Sequence, residues 1–345
     1  KQSMSLKNLS VRKKIPKIYK SKLLNQKVNK IFKKFEKSFK IDTNFIVAVS
    51  GGADSLALAF LTKVYSLKKN LNPRYFIVDH KLRKESTYEA YKVKKILKSL
   101  KINALILTWK GKKPINNIQS LARSKRYDLL FSKCKKLKIN NLVLGHHLDD
   151  LIENFFLRMA RGSGLRGLVS LGTNTQIKDI NLIRPLIKFE KKDLLFLSKF
   201  VFNFYVDDSS NYDVKFNRIK IRNLIKEFND FGLDKKKFQL TIENLKGSNQ
   251  SIKFYVEKNK RENSIFNHKK DELILKEKFF DNSLEVIFRS LSDLIHLVGK
   301  KANFVRGKKI ENILNKIKER KLKKETLGGC VIKMVNHTVI LTKEQ

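Results

Sequence analysis

The chain has 345 residues, is 41% hydrophobic, and carries 76 Lys and Arg against 32 Asp and Glu, a formal charge of +44. That length and apolar content suit a globular protein of about two domains and exclude a disordered or fibrous one, while the charge attracts polyanions, nucleic acid first. Two cysteines without a Cys-x-x-Cys spacing leave a disulfide framework or zinc cluster unsupported, and no apolar run approaches the ~18 residues of a membrane span, so an unexported, cytoplasmic protein with no membrane partner is expected.

Residues 1–40 read as a basic N-terminal arm and helix, with Leu24, Val28, Ile31, Phe32 and Phe35 at helical spacing. Residues 45–49 are an apolar run bounded by turn residues, hence a buried strand. Ser50, Gly51, Gly52, Ala53, Asp54 and Ser55 form a glycine turn, and an Ala/Leu-rich helix follows. Adjacent glycines let an anion approach main-chain N–H groups, and the helix N-terminus directs its dipole to the same spot, a geometry that binds phosphate. Asp54 can meet a phosphate favourably only through a cation, so it is either a helix cap or a magnesium ligand. No Gly-Lys-Ser/Thr ends the turn, so it is not a Walker loop.

Further strands are expected at 75–78, ending in Asp79-His80, at 104–107, and at 142–144, ending in Gly145-His146-His147. Helices are expected at 86–100, 117–137 and 149–160. Strands alternating with helices imply a doubly wound, mostly parallel α/β sheet of about five strands, with ligands beyond the strands' carboxyl ends. The polar clusters at 50–55, 79–80 and 146–150 all fall there, and should converge on one crevice. Residues 161–189 read as a glycine-containing loop, 190–203 as a helix, 204–206 as a short strand, and 216–228 as a helix. The polar stretch 230–280 reads as mostly helical. Two helices near 285–298 and 305–319 and a hairpin over 331–341 close the chain. The expected domains are the 1–40 arm, a 41–224 catalytic domain, a 225–283 helical connection and a small α+β unit at 284–345.

His146 to Glu153 gathers two imidazoles and three carboxylates. Adjacent histidines on a strand point to opposite faces, which disfavours zinc, whereas Asp149 and Glu153 share a helix face and suit Mg²⁺ held with phosphate and water.

The string Ser-Gly-Gly-x-Asp-Ser resembles the pyrophosphate loop of the ATP pyrophosphatase (PP-loop) superfamily, whose fold is adenine nucleotide alpha-hydrolase-like. The block from Gly145 to Gly164 is similar to one in tRNA(Ile)-lysidine synthetases. Val78-Asp79-His80-Lys81-Leu82-Arg83, Ala122-Arg123-x-x-Arg126-Tyr127, Arg184-Pro185-Leu186 and Asp207-Asp208-Ser209-x-Asn211 follow in that family's order, densely over 42–224. Gln119 replaces a usual acidic residue, and Phe216 and Lys220 replace two arginines; lysine keeps the charge but not the bidentate fork.

The resemblance implies ATP, Mg²⁺, free L-lysine and an isoleucine tRNA with a CAU anticodon. Lysine would be joined to the wobble cytidine through an adenylated base. By the same resemblance, Ser50 to Ser55 with Asp79 and His80 hold the nucleotide, and Asp54, Asp149, Arg123 and Arg126 are catalytic. Asp54 and Asp149 would be the metal ligands. Arg161, Arg166, Arg218, Lys220, Arg222, Lys308 and Lys309 would contact tRNA. A base thiolase and a non-catalytic RNA-binding relic of the fold are the alternatives. Whether two copies pair as a homodimer is left open.

Overall fold

The computed structural model describes residues 15–82, 85–111, 118–207, 217–232, 234–301 and 303–344. The chain divides into two compact units, Lys1–Leu240 and Thr241–Gln345.

The first unit opens with α1 (Lys17–Leu23) and α2 (Gln26–Ser38). Next come β1 (Ile46–Val49), α3 (Ala53–Lys69), β2 (Arg74–Asp79), α4 (Ser86–Ser99), β3 (Ala104–Thr108), α5 (Ile118–Leu137), β4 (Asn141–Val143) and α6 (Leu148–Met159). The short α7 (Leu165–Leu168), the hairpin β5 (Asn174–Ile177) and β6 (Ile180–Ile183), α8 (Lys191–Phe202) and α9 (Asn217–Asp230) follow. α10 (Lys235–Asn263) runs on into the second unit.

The sheet order is β3-β2-β1-β4-β6-β5, parallel throughout except for the β5 edge. The chain builds outward from β1 on one side and then returns to β4 on the other, so strand order reverses between β1 and β4, where a ligand crevice is expected. Strand alternation sorts side chains to two faces. Val47, Val49, Tyr75 and Ile77 pack with α2, α3, α4 and α8, while Ile46, Phe76, Leu107, Leu142 and Leu182 pack with Leu130 and Cys134 of α5. α3 is the buried central helix, with Leu56 to Leu61 wholly enclosed.

Two sequence expectations are corrected here. Residues 161–189, read as a loop, contain β5 and β6. Residues 204–206, read as a strand, are irregular, and the place beside β4 belongs to β6. Ile180-Asn181-Leu182-Ile183 is too short and too near a tight turn to announce a strand, yet Leu182 and Ile183 complete cores on opposite faces. Phe204-Tyr205-Val206 is apolar because it packs on the first core, not because it pairs in the sheet.

In the second unit, β7 (Ser264–Asn267), β8 (Glu272–Leu275), a 3-10 turn (Glu277–Phe280), α11 (Leu284–Gly299), α12 (Gly307–Lys318), β9 (Lys324–Leu327), β10 (Cys330–Val335) and β11 (Thr338–Lys343) follow α10. The antiparallel order is β7-β8-β11-β10-β9. Leu291, Ile295, Ile310 and Ile313 of the two helices close over Ile332, Val339 and Leu341. The hairpin at 331–341 is present as β10 and β11, and the stretch 230–280 is mostly helical through α10, with the short β7 and β8 set between it and the 3-10 turn. No helix among the described residues is long and apolar enough to cross a membrane.

The first core is anchored by aromatics from α2 and its neighbours. Phe39, 1% exposed, meets Tyr65 at 4.9 Å and Phe45 at 5.3 Å between ring centroids. Phe39→Ala should cost about 3–5 kcal/mol in the urea unfolding of this unit. Leu24→Ala, at a side chain 83% exposed, should stay within about 0.5 kcal/mol.

Candidate active site

The phosphate loop joins β1 to α3. Gly51 has φ +92°, in the left-handed region, and a Cβ there would lie 2.6 Å from Cγ2 of Val93 and 3.0 Å from Cγ2 of Val206. Glycine is required both by the backbone and by the space. The Ser55 hydroxyl accepts from the N–H groups of Ser50 (3.1 Å) and Gly51 (3.0 Å) and donates to the Gly52 carbonyl (2.9 Å). Ser55 therefore shapes the loop from within.

Gly52 is the N-cap of α3 and no side chain caps this terminus, so the open N–H groups and positive dipole end are left for an anion. Asp54, which could have been a cap, stands instead in the first turn. At the end of β4, a Cβ on Gly145 would lie 3.3 Å from the Ser55 nitrogen. That closeness brings the fourth strand's cluster against the loop.

The cluster after β4 is a helix start. His147 caps α6: its Nδ1 accepts from the Asp149 N–H (3.2 Å) and its own N–H donates to Asp150 Oδ2 (3.0 Å). With Nδ1 accepting, the ring proton sits on Nε2, which lies 3.6 Å from Oδ2 of both Asp54 and Asp150. His146 is different. Burial and the nearby Arg184, Arg123 and Arg126 outweigh Asp150 and pull its pKa down to about 4, so it is a neutral imidazole at pH 7.

A cavity of about 950 Å³ receives these groups, lined by Ser50, Gly52, Ala53, Asp54 and Ser55 with His80, His146 and Asp149. Arg123 and Arg126 of α5 also line it, their guanidinium carbons 5.5 and 5.9 Å from the centre of the Tyr127 ring. Behind them Arg184 is buried, donating to the Gly172 carbonyl and the Thr175 hydroxyl. Burial lowers its pKa, with Tyr127 opposing the shift and Arg123 adding to it.

Asp79 is engaged by neighbouring donors. Its carboxylate accepts from the Lys81 N–H (3.0 Å) and the hydroxyls of Ser86 (2.9 Å) and Thr87 (2.7 Å). Burial pushes its pKa up, but those donors outweigh it and leave it below the usual carboxylate value. Asp79 ties the end of β2 to α4, and His80 is the residue of this pair on the cavity wall.

Asp54, Asp149 and Glu153 each have a basic partner. Asp54 Oδ2 accepts from Lys191 Nζ at 2.6 Å, Asp149 Oδ1 from Lys235 Nζ at 2.9 Å, and the buried Glu153 from Arg222 Nε at 2.6 Å. Asp54 Oδ1 is buried without a hydrogen-bond partner, a hard oxygen suited to Mg²⁺. Among the described residues no group of three or more His, Cys, Asp or Glu is arranged to hold a metal ion. A cation at Asp54 would therefore draw the rest of its shell from phosphate and water, as Mg²⁺ commonly does.

Of the residues expected to touch tRNA, Arg222 lies on the cavity wall. Arg161, Arg166 and Lys220 are exposed elsewhere on the first unit, and Lys308 and Lys309 are exposed in the first turn of α12. The side chains of Arg218 and Gln119 lie outside the described residues, as do Arg83, Asp208, Ser209, Asn211 and Phe216. Lys191 and Lys235 were not singled out in the sequence, where they are two lysines in lysine-rich runs.

Residues 21–228 match the PP-loop domain family. The tRNA(Ile)-lysidine synthase of Orientia tsutsugamushi (strain Boryong) is 33% identical over 320 residues, 89% of this chain and 71% of that protein. The chain belongs to the tRNA(Ile)-lysidine synthase family. The synthase from the Wolbachia of Brugia malayi (strain TRS) is 31% identical over 303 residues, 86% of this chain and 70% of that one. Among solved structures, the U34-tRNA thiolase NcsA from Methanococcus maripaludis with its 4Fe-4S cluster superposes with a TM-score of 0.55. It is 19% identical and matches 63% of this chain and 80% of that one, a likeness of fold.

In this member of the lysidine synthase family, the depressed pKa of His146 makes stability pH-dependent. The unfolded chain takes up the proton near 6.5, while the folded chain resists it down to about 4. Folding should thus weaken as pH falls through that window. His146→Asn should flatten the dependence, as read from urea midpoints between pH 7 and 4, and equal slopes for variant and parent would count against it.

Proposed function

We propose that the chain ligates free L-lysine to C2 of the wobble cytidine of tRNA(Ile) bearing a CAU anticodon, in the cytoplasm, consuming ATP with Mg²⁺. The observation that carries the reading is the meeting of the uncapped α3 terminus, Asp54, Asp149 and the α5 arginines in one cavity. Its volume is at the upper end for small-molecule sites, suited to a nucleotide together with an extruded base. The base carbonyl oxygen attacks the α-phosphate and pyrophosphate leaves; the amine of lysine then displaces AMP.

This chain's groups have separable tasks in that sequence. Backbone N–H groups at Gly52 and Ala53 receive the phosphates that depart as pyrophosphate. Arg123 and Arg126 meet negative charge developing at the α-phosphate. Neutral His146 can accept or donate a hydrogen bond without adding a positive charge beside them. Asp149 offers a carboxylate to the substrate's ammonium. Mg²⁺ held at Asp54 would neutralise phosphate charge. In the second unit, Lys308 and Lys309 contribute to tRNA binding.

A thiolase reading is disfavoured by the thiols. Burial pushes Cys134 and Cys330 up to about 11, so both are protonated at neutral pH and weakly nucleophilic. Cys330 Sγ donates to the Ile295 carbonyl. With one cysteine in each unit and two in the whole sequence, the residues for a cysteine-held cluster are lacking.

Incubated with ATP, radiolabelled lysine and total tRNA, the protein should label a minor isoleucine tRNA alone; label in other tRNAs, or none, would refute the assignment. Asp54→Ala should abolish ATP–pyrophosphate exchange while leaving tRNA affinity within about twofold, since a cleft carboxylate contributes nothing to phosphate-backbone attraction. Reversing Lys308 and Lys309 to Glu should weaken tRNA binding and lower the slope of log affinity against log salt by about one to two, if both contact phosphate. An unchanged slope would remove them from the interface.

A further inference from the structure

We propose that Lys191 is a nucleotide-binding residue, its ammonium serving as the protein's own cation between Asp54 and the β- and γ-phosphates of ATP. This rests on the nucleotide reading above and adds a residue that neither the loop motif nor the family match singles out.

The phosphate loop has an internal conflict. The open N-terminus of α3 attracts an anion, yet Asp54 brings a negative charge into the first turn of the same helix. A phosphate seated there meets that carboxylate unless a cation intervenes. One already does: Lys191 Nζ lies 2.6 Å from Asp54 Oδ2, and both residues line the cavity with Ser50 and Gly52. An ammonium has three donors and Asp54 takes one, so others remain for phosphate oxygens.

The placement is fixed by the fold. Lys191 is the first residue of α8, a helix anchored through Leu194, Leu197 and Val201 in the core that also holds α3. Its neighbour Lys192 has a side chain 74% exposed and pairs with Glu190, as a solvated surface lysine does. Lys191 is 38% exposed, and a pair with one member so open to water adds little to stability. Its position in the cleft is better accounted for by a ligand than by folding.

Two measurements test the assignment. Binding of a non-cleavable ATP analogue by titration calorimetry should weaken about ten- to a hundredfold in Lys191→Met, the range for losing hydrogen bonds to a charged group, and recover substantially in Lys191→Arg. On the unmodified protein, saturating ATP should protect Lys191 from acetylation by acetic anhydride, followed by peptide mass spectrometry, while Lys192 stays reactive. An unchanged affinity in Lys191→Met, an equal loss in Lys191→Arg, or unaltered acetylation of Lys191 overturns the proposal. If the unmodified protein binds no ATP and supports no pyrophosphate exchange, the nucleotide reading fails first; if it does both and Lys191 proves indifferent, this inference alone fails.

Discussion

The left-handed turn at Gly51 is the constraint on which the site depends. β1 is buried between β2 and β4, and the chain must leave its carboxyl end so that α3 starts at once with its first N–H groups open. A φ of +92° achieves this, and Val93 from α4 and Val206 press so close that no Cβ fits. The turn is held from three directions. The Ser55 hydroxyl gathers the preceding N–H groups, the Val206 N–H donates to the Gly51 carbonyl at 3.0 Å, and Gly145 brings β4 against the start of α3. A loop so braced keeps its donors in place before a ligand arrives, and preorganised dipoles need no rearrangement as charge develops.

The parts of this architecture that were legible in sequence are those whose signal is local. Residues 46–49 and 75–78 are continuous apolar runs because both faces of the sheet are covered, and the glycine turn between strand and helix is contiguous in the chain. β6 and β8 were not legible because each is short and contains a polar residue, Asn181 and Glu272, so neither gives the continuous apolar run that marks β1; they become strands through their partners, β6 by pairing with β4 and β8 by pairing with β11. Residues 204–206 misled for the converse reason. Their apolar character serves packing, and the backbone hydrogen bond at Val206 goes to the phosphate loop rather than to a strand.

The site divides along the same line. Asp54, His146 and Asp149 sit in recognisable strings, and the structure places all three on one cavity. Asp79 sits in an equally recognisable string, and its carboxylate also accepts from Lys81, Ser86 and Thr87, which no motif reveals. Lys191 and Lys235 gain meaning only from distance in space. Each lies more than 80 residues along the chain from the aspartate it meets, and nothing in a lysine-rich sequence sets them apart.

Those long-range pairs bear on how a protein of charge +44 could admit both a polyanion and an ammonium to one cleft. A uniformly basic cavity would repel free lysine; a cavity with bare carboxylates would repel ATP and tRNA. Here Asp54, Asp149 and Glu153 are paired with Lys191, Lys235 and Arg222, which offsets much of the negative charge in that region. The excess positive charge stands instead at Arg123, Arg126 and Arg184 around Tyr127 and the neutral His146. An incoming ammonium can exchange with the lysine of a carboxylate pair at little cost, because a partly exposed pair is weak. A phosphate is drawn to the uncapped α3 terminus beside Lys191 and to Arg123 and Arg126 on the cavity wall. On the proposed function, pairing the acids would let one crevice receive groups of opposite sign.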